Sequence, residues 1–258
     1  MKLFFRKLGQ GKPLFILHGL FGLSDNWATV GKILSESFEV FLIDLRNHGS
    51  SPHSDEWTYS ALANDILELA NNLFPQSPNH SFALVGHSLG GKVAMQFASM
   101  YPEKLEKLIV VDMAPKDYPS NNFNLIEKLL SINLAEIKSR KEADEKLSFF
   151  IKDKSTLQLF QKNLYWNEEN KLAWKFNLKV IADNQNKIRK TFSLGEKPIN
   201  TPTLFIRGEK SNYVLDSDTA EIKKHFPNSE IKTIAGTGHW VHADKPNEFA
   251  ECVKEFIA

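Results

Sequence analysis

The sequence predicts an α/β protein with a mostly parallel, doubly wound sheet and an inserted block of helices. Three observations point there. Apolar runs at 14–17, 38–43, 82–85 and 105–112 alternate with helical patterns, the rhythm of βαβ units. Leu14-Phe15-Ile16-Leu17 is continuous rather than alternating, as a strand covered on both faces must be. Between 114 and 197 the rhythm stops, and Lys-, Glu- and Asn-rich segments with helical spacing take over. The expected organisation is a core of residues 1–113 and 198–258, with a helical cap of residues 114–197 inserted into it.

The elements follow in order. Leu3 to Leu8 reads as an opening edge strand, and Gly9-Gln10-Gly11-Lys12-Pro13 as its turn. The strand Leu14–Leu17 runs into His18-Gly19-Leu20-Phe21-Gly22, and a helix begins near Ser24-Asp25. Phe38 to Ile43 is the next strand. Thr58 to Phe74 is helical, with Leu62, Ile66, Leu69 and Leu73 on its buried stripe. Phe82 to Val85 is a short buried strand, followed by a helix on which Val93, Phe97 and Met100 share a face before Pro102 ends it. Leu105 to Asp112 closes this first half. No convincing strand is expected from Ala114 to about Lys197; Leu125, Ile126, Leu129 and Leu130, and Leu157, Leu159 and Phe160, carry helical spacing instead. Sheet rhythm resumes with Thr203–Gly208, a helix from about Asp216 to His225, a strand at Ile231–Ile234 and a final helix after Pro246.

Composition removes several function classes. A net charge of +1 with 24% charged residues gives no electrostatic reason to bind nucleic acid or an anionic membrane. Nothing approaches the roughly 20 apolar residues of a membrane span, and Arg6 interrupts the apolar start too early for a signal-peptide core. The single cysteine, Cys252, excludes an internal disulfide and fits a reducing, cytoplasmic setting. The eight histidines show no ligand spacing, so neither a metal nor another cofactor is expected.

The chemistry centres on Gly86-His87-Ser88-Leu89-Gly90-Gly91. A G-x-S-x-G sequence between strand and helix is a nucleophile elbow, a strained turn that lifts the serine hydroxyl out of the sheet. A serine hydroxyl is a poor nucleophile at neutral pH and needs an oriented base. His239 is the candidate base, because it follows Gly236-Thr237-Gly238 after a strand, at the carboxyl edge where open α/β sheets bind ligands. His87, His18, His48 and His242 read as packing residues.

His18-Gly19, Asp44-x-Arg46-x-x-Gly49-x-Ser51, Gly86-x-Ser88-x-Gly90 and Gly238-His239 together resemble the α/β-hydrolase superfamily, in its order and over essentially the whole chain. Finer segments, His18 to Gly22, Val110 to Pro115 and Gly238 to Ala243, are similar to the bacterial YbfF esterases and their mitochondrial abhydrolase relatives. The resemblance implies an α/β-hydrolase fold and a serine esterase acting on a small-molecule ester or thioester.

In many members of that superfamily the triad acid sits in a Gly-x-x-Asp turn; here the turn reads Gly208-Glu209-Lys210-Ser211-Asn212, without a carboxylate where one is expected. Asp112 ends the strand after the elbow helix, beside the elbow strand in a parallel sheet, and keeps the order Ser, Asp, His. The resemblance implies the same choice. Asp216 and Asp218 stand as the alternative, though their place before Thr219 suits helix capping. The oxyanion hole is expected from the backbone amides of Leu89 and, by the superfamily pattern, Leu20, with Phe21 next. Phe21, Met113 and Trp240 neighbour these positions and are expected to wall an apolar acyl pocket, together with Leu89. An acyltransferase or carbon–carbon bond hydrolase on the same triad is the alternative within enzymes. A ligand-binding protein on a hydrolase fold is the alternative outside them.

Overall fold

A computed structural model describes residues 1–77, 80–119, 123–190 and 194–258. Its first half follows the expected alternation: β1 (Phe5–Leu8), β2 (Lys12–Leu17), α1 (Ala28–Leu34), β3 (Phe38–Ile43), α2 (Tyr59–Leu73), β4 (Phe82–His87), α3 (Leu89–Met100) and β5 (Leu105–Val111). The seven strands of the main sheet lie in the order β1-β3-β2-β4-β5-β8-β9, where β8 is Thr203–Gly208 and β9 is Ser229–Ile234. Only β1 runs antiparallel to its neighbour; the other pairings are parallel.

The strands are buried on both faces, which is why their sequences are continuously apolar. Along β2, Leu14 and Ile16 face one cluster, with Trp27, Val30 and Leu34 around α1. Phe15 and Leu17 face the other, with Leu62 and Ile66 of α2 and Val93 and Phe97 of α3. This period of two sets the register and aligns every parallel strand's carboxyl end on one edge.

Between β5 and β8 the chain makes α4 (Phe123–Leu130), α5 (Arg140–Phe150), α6 (Lys154–Lys162), β6 (Leu164–Trp166), β7 (Leu172–Trp174), α7 (Leu178–Asp183) and α8 (Gln185–Arg189). The antiparallel pair β6–β7 corrects the expectation of no strand in this block. Each strand has three residues, below the four to eight at which alternation becomes visible in sequence. Asn167 makes the turn, its Oδ1 accepting from the amides of Glu169 (3.1 Å) and Lys171 (2.8 Å). The chain closes with α9 (Thr219–His225), α10 (Val241–Asp244) and α11 (Pro246–Ile257). No helix among the described residues is long and apolar enough to cross a membrane.

Candidate active site

Ser88 stands between β4 and α3 at φ 52°, ψ −115°. That conformation costs a non-glycine residue about 1–3 kcal/mol. A Cβ on Gly86 would lie 2.2 Å from the Gly90 carbonyl oxygen, and one on Gly90 would lie 2.6 Å from the carbonyl oxygens of Leu17 and His18. The glycines of the motif are therefore required by close approach of β2, β4 and α3. The Ser88 amide donates to the Val111 carbonyl (3.1 Å), continuing the β4–β5 ladder by one residue.

Asp112 follows that ladder on β5, its amide bonded to the Ile206 carbonyl of β8 (2.7 Å). It too has positive φ, 46°, and it is completely buried. Its Oδ2 accepts from His239 Nδ1 at 2.7 Å and from the Ser211 hydroxyl; its Oδ1 accepts from the Gly208 amide at 3.3 Å. With Nδ1 donating to the carboxylate, the remaining ring nitrogen Nε2 carries the lone pair. Ser88 and His239 line one cavity.

Two further rings hold His239. The Tyr213 ring stacks on His239 at 3.8 Å and 20°. His87 lies behind it, with ring centroids 4.6 Å apart, and its Nε2 donates to the His239 carbonyl (2.8 Å). Burial and the neighbouring histidines His239 and His242 hold His87 well below the ordinary imidazole value, hence neutral.

The loop after β2 supplies the other wall. Leu20 and Leu89 line the cavity with Ser88, and the Leu89 amide opens α3, where first-turn N–H groups lack intrahelical acceptors. Phe21 takes positive φ, 60°. Its carbonyl accepts from Asn163 Nδ2 at 2.7 Å, and its ring packs against Phe160 (5.2 Å) and Phe176 (4.9 Å) of the insertion. Met113 and Trp240 complete the near walls, and Leu125, Ile126, Leu159 and Ile188 form the far ones. The cavity volume is about 370 Å³, within the range of small-ligand sites.

The sequence-predicted residues thus converge: Ser88, His239, Leu20, Leu89, Phe21, Met113 and Trp240 line one cavity, and Asp112 lies directly behind His239. Asp216 and Asp218 are elsewhere employed. Asp216 pairs with Arg207 (2.6 Å), while Asp218 accepts from the Leu215 amide (2.8 Å) and pairs with Lys116. His18, His48 and His242 are buried packing residues, the last stacked on Trp27 at 3.8 Å. Asp44 and Arg46 fasten loops: the Asp44 carboxylate accepts from the amides of Ser24 (2.5 Å) and Ser50 (2.8 Å), and Arg46 grips Asp65 through Nε (2.6 Å) and Nη2 (2.9 Å).

Sequence reading missed Asn163, Tyr213, Lys92 and the part Ser211 plays. Ser211 had a signal, as a hydroxyl standing where a carboxylate was expected. Lys92 had one too, as the sole charge in an otherwise uncharged buried helix. Among the described residues no three His, Cys, Asp or Glu side chains converge to hold a metal ion.

The serine elbow stands at the carboxyl edge of this sheet, between β4 and α3. The alpha/beta hydrolase fold family model matches residues 12–246, and the chain belongs to that family. It is similar to the Mus musculus protein named sn-1-specific diacylglycerol lipase ABHD11, 36% identical over 95% of this chain and 80% of the relative. It is 28% identical to Esterase YbfF of Escherichia coli K12, over 96% of this chain and 94% of that one. Among solved structures, one titled "Marine microorganism esterase" superposes with a TM-score of 0.93 at 40% identity, covering 99% of both chains.

Proposed function

We propose that this chain is a serine esterase in which Ser88, His239 and Asp112 form the catalytic triad and Leu20 and Leu89 the oxyanion hole. The observation that carries it is the 2.7 Å bond from His239 Nδ1 to a completely buried Asp112 carboxylate, beside a serine held on a strained elbow. Relatives named esterase and diacylglycerol lipase support hydrolysis of ester bonds.

Ser88 Oγ attacks the ester carbonyl carbon as its proton passes to His239 Nε2. The carbonyl oxygen becomes an oxyanion between the Leu20 and Leu89 amides, each such donor lowering the barrier by about 3 kcal/mol. Collapse breaks the bond to the alcohol, which leaves with the proton from Nε2. Water then attacks the acyl-enzyme, gives a proton to Nε2, and the second collapse frees the acid and returns that proton to Ser88 Oγ. Asp112 holds the imidazole with Nδ1 protonated throughout and balances the charge His239 gains.

The described residues of the 114–197 block serve as a cap, a reading supported by Leu125, Ile126, Leu159, Phe160 and Ile188, which line the cavity together with Ser88. The apolar walls suit a short to medium acyl chain, and the same steps serve an acyl-CoA thioester. Hydrolysis of matched oxygen esters and thioesters over a series of acyl lengths tests the reading. Turnover in the wild type that Ser88→Ala abolishes is expected. Equal turnover by the two proteins would overturn it.

A further inference from the structure

Lys92 stands one helical turn beyond Ser88 on α3 and is 2% exposed. Its ammonium donates to three consecutive carbonyls at the end of α8: Ile188 (3.3 Å), Arg189 (3.0 Å) and Lys190 (2.8 Å). All three of its N–H groups are thereby used. The acceptors are final-turn carbonyls, which lack intrahelical donors. Tyr59 of α2 adds a fourth bond, from Oη to the Ile188 carbonyl (2.7 Å).

The chain's path into the cap arrives at the same point. The Tyr118 amide donates to the Arg189 carbonyl (3.1 Å), and the rings of Tyr118 and Tyr59 lie 5.2 and 5.8 Å from the Lys92 ammonium. The Tyr118 hydroxyl accepts from the Ala114 amide (2.7 Å) and donates to the Tyr213 carbonyl (2.9 Å), beside the ring that stacks on His239. Entry to the cap, exit from it and the nucleophile helix therefore meet at one cation. Burial pushes that ammonium down to about 8, opposed by Asp117. An apolar side chain would avoid this penalty but would take a donor from each of the three carbonyls, so what the cation contributes is a fixed geometry.

That geometry bears on the substrate, because Lys92 itself, Tyr118 on the way in and Gln185, Ile188 and Arg189 of α8 line the same cavity as Ser88. We propose that Lys92 is a positioning residue that pins both crossings of the cap to the nucleophile helix and thereby sets which acyl chains the cavity accepts. The inference rests on the reading of Ser88 as nucleophile.

The test compares kcat/KM for acetyl and octanoyl p-nitrophenyl esters in the wild type, Lys92→Met and Tyr59→Phe. Circular dichroism and fluorophosphonate labelling of Ser88 accompany the kinetics. Charge-assisted bonds of this kind translate to about a tenfold effect when lost. The octanoyl-to-acetyl ratio is expected to fall about tenfold in Lys92→Met, with the loss carried in KM. A smaller fall in the same direction is expected in Tyr59→Phe. A ratio within twofold of wild type in folded, labelled Lys92→Met overturns the proposal, even if its Tm falls. Should Lys92→Met not fold, an unchanged ratio in Tyr59→Phe overturns it. Failure of the wild type to label would instead refute the reading of Ser88.

Discussion

Replacing Asp112 by Asn changes one atom's hydrogen-bonding character in a site where every partner is a donor. The carboxylate accepts from His239 Nδ1, Ser211 Oγ and the Gly208 amide. An amide has one acceptor oxygen and one NH₂ donor. With its oxygen toward the fixed Gly208 N–H, the NH₂ faces His239, and Nδ1 must then become an acceptor. The ring proton moves to Nε2, which can no longer take the proton of Ser88. With the amide reversed, NH₂ opposes the Gly208 N–H in a completely buried site, which costs about 1–3 kcal/mol. The first arrangement is the lower one, and it is expected to be inactive. In serine proteases the same exchange costs about ten-thousand-fold in kcat, or about 5.5 kcal/mol of barrier. Steady-state hydrolysis of a short p-nitrophenyl ester is expected to show a loss of about 10³ to 10⁴ in Asp112→Asn with native circular dichroism. Asp216→Asn, at a solvent-facing ion pair, is expected to stay within about twofold. Turnover by Asp112→Asn within tenfold of wild type would refute the tautomer argument and the assignment with it.

Two further outcomes follow from the geometry. Asn163→Ala removes the donor to the Phe21 carbonyl and loosens the loop that carries the Leu20 amide. It is expected to lower kcat about tenfold, a fraction of the loss of one oxyanion donor, and a kcat equal to wild type would disprove the coupling. Acid stability is expected to depend on buried neutral histidines. Burial holds His18 at about 4 and His48 and His242 at about 3, with His87 also well below the usual 6.5. Below 6.5 the unfolded chain binds protons that the folded chain refuses. The stability these rings contribute is therefore complete above pH 6.5 and lost as pH falls toward 4, at up to about 1.4 kcal/mol per pH unit for each ring. Urea midpoints measured from pH 8 to 4.5 are expected to be level above 6.5 and to fall steeply below it; a flat series would contradict this.

Much of this architecture was legible because burial on both sheet faces writes itself as unbroken apolar runs such as Leu14–Leu17 and Leu108–Val111. The elbow was legible because backbone crowding at Gly86 and Gly90 admits no side chain. The absence of a carboxylate at Ser211 and Asn212 directed attention to Asp112, and the structure shows Ser211 donating to that very carboxylate. Contacts made across the insertion were not legible. Asn163 meets Phe21 across 142 positions and Lys92 meets α8 across nearly 100, and no local period encodes such pairings. The β6–β7 hairpin escaped for a different reason, since three-residue strands carry too few residues to alternate.

In the proposed mechanism Ser88 is a nucleophile activated by His239 and Asp112. Intact-mass spectrometry and peptide mapping after brief exposure to a fluorophosphonate test it directly. A single adduct on Ser88 is expected in the wild type, none in Ser88→Ala, and labelling slowed at least a hundredfold in His239→Ala. An unmodified Ser88, or an adduct that persists in Ser88→Ala, would contradict it.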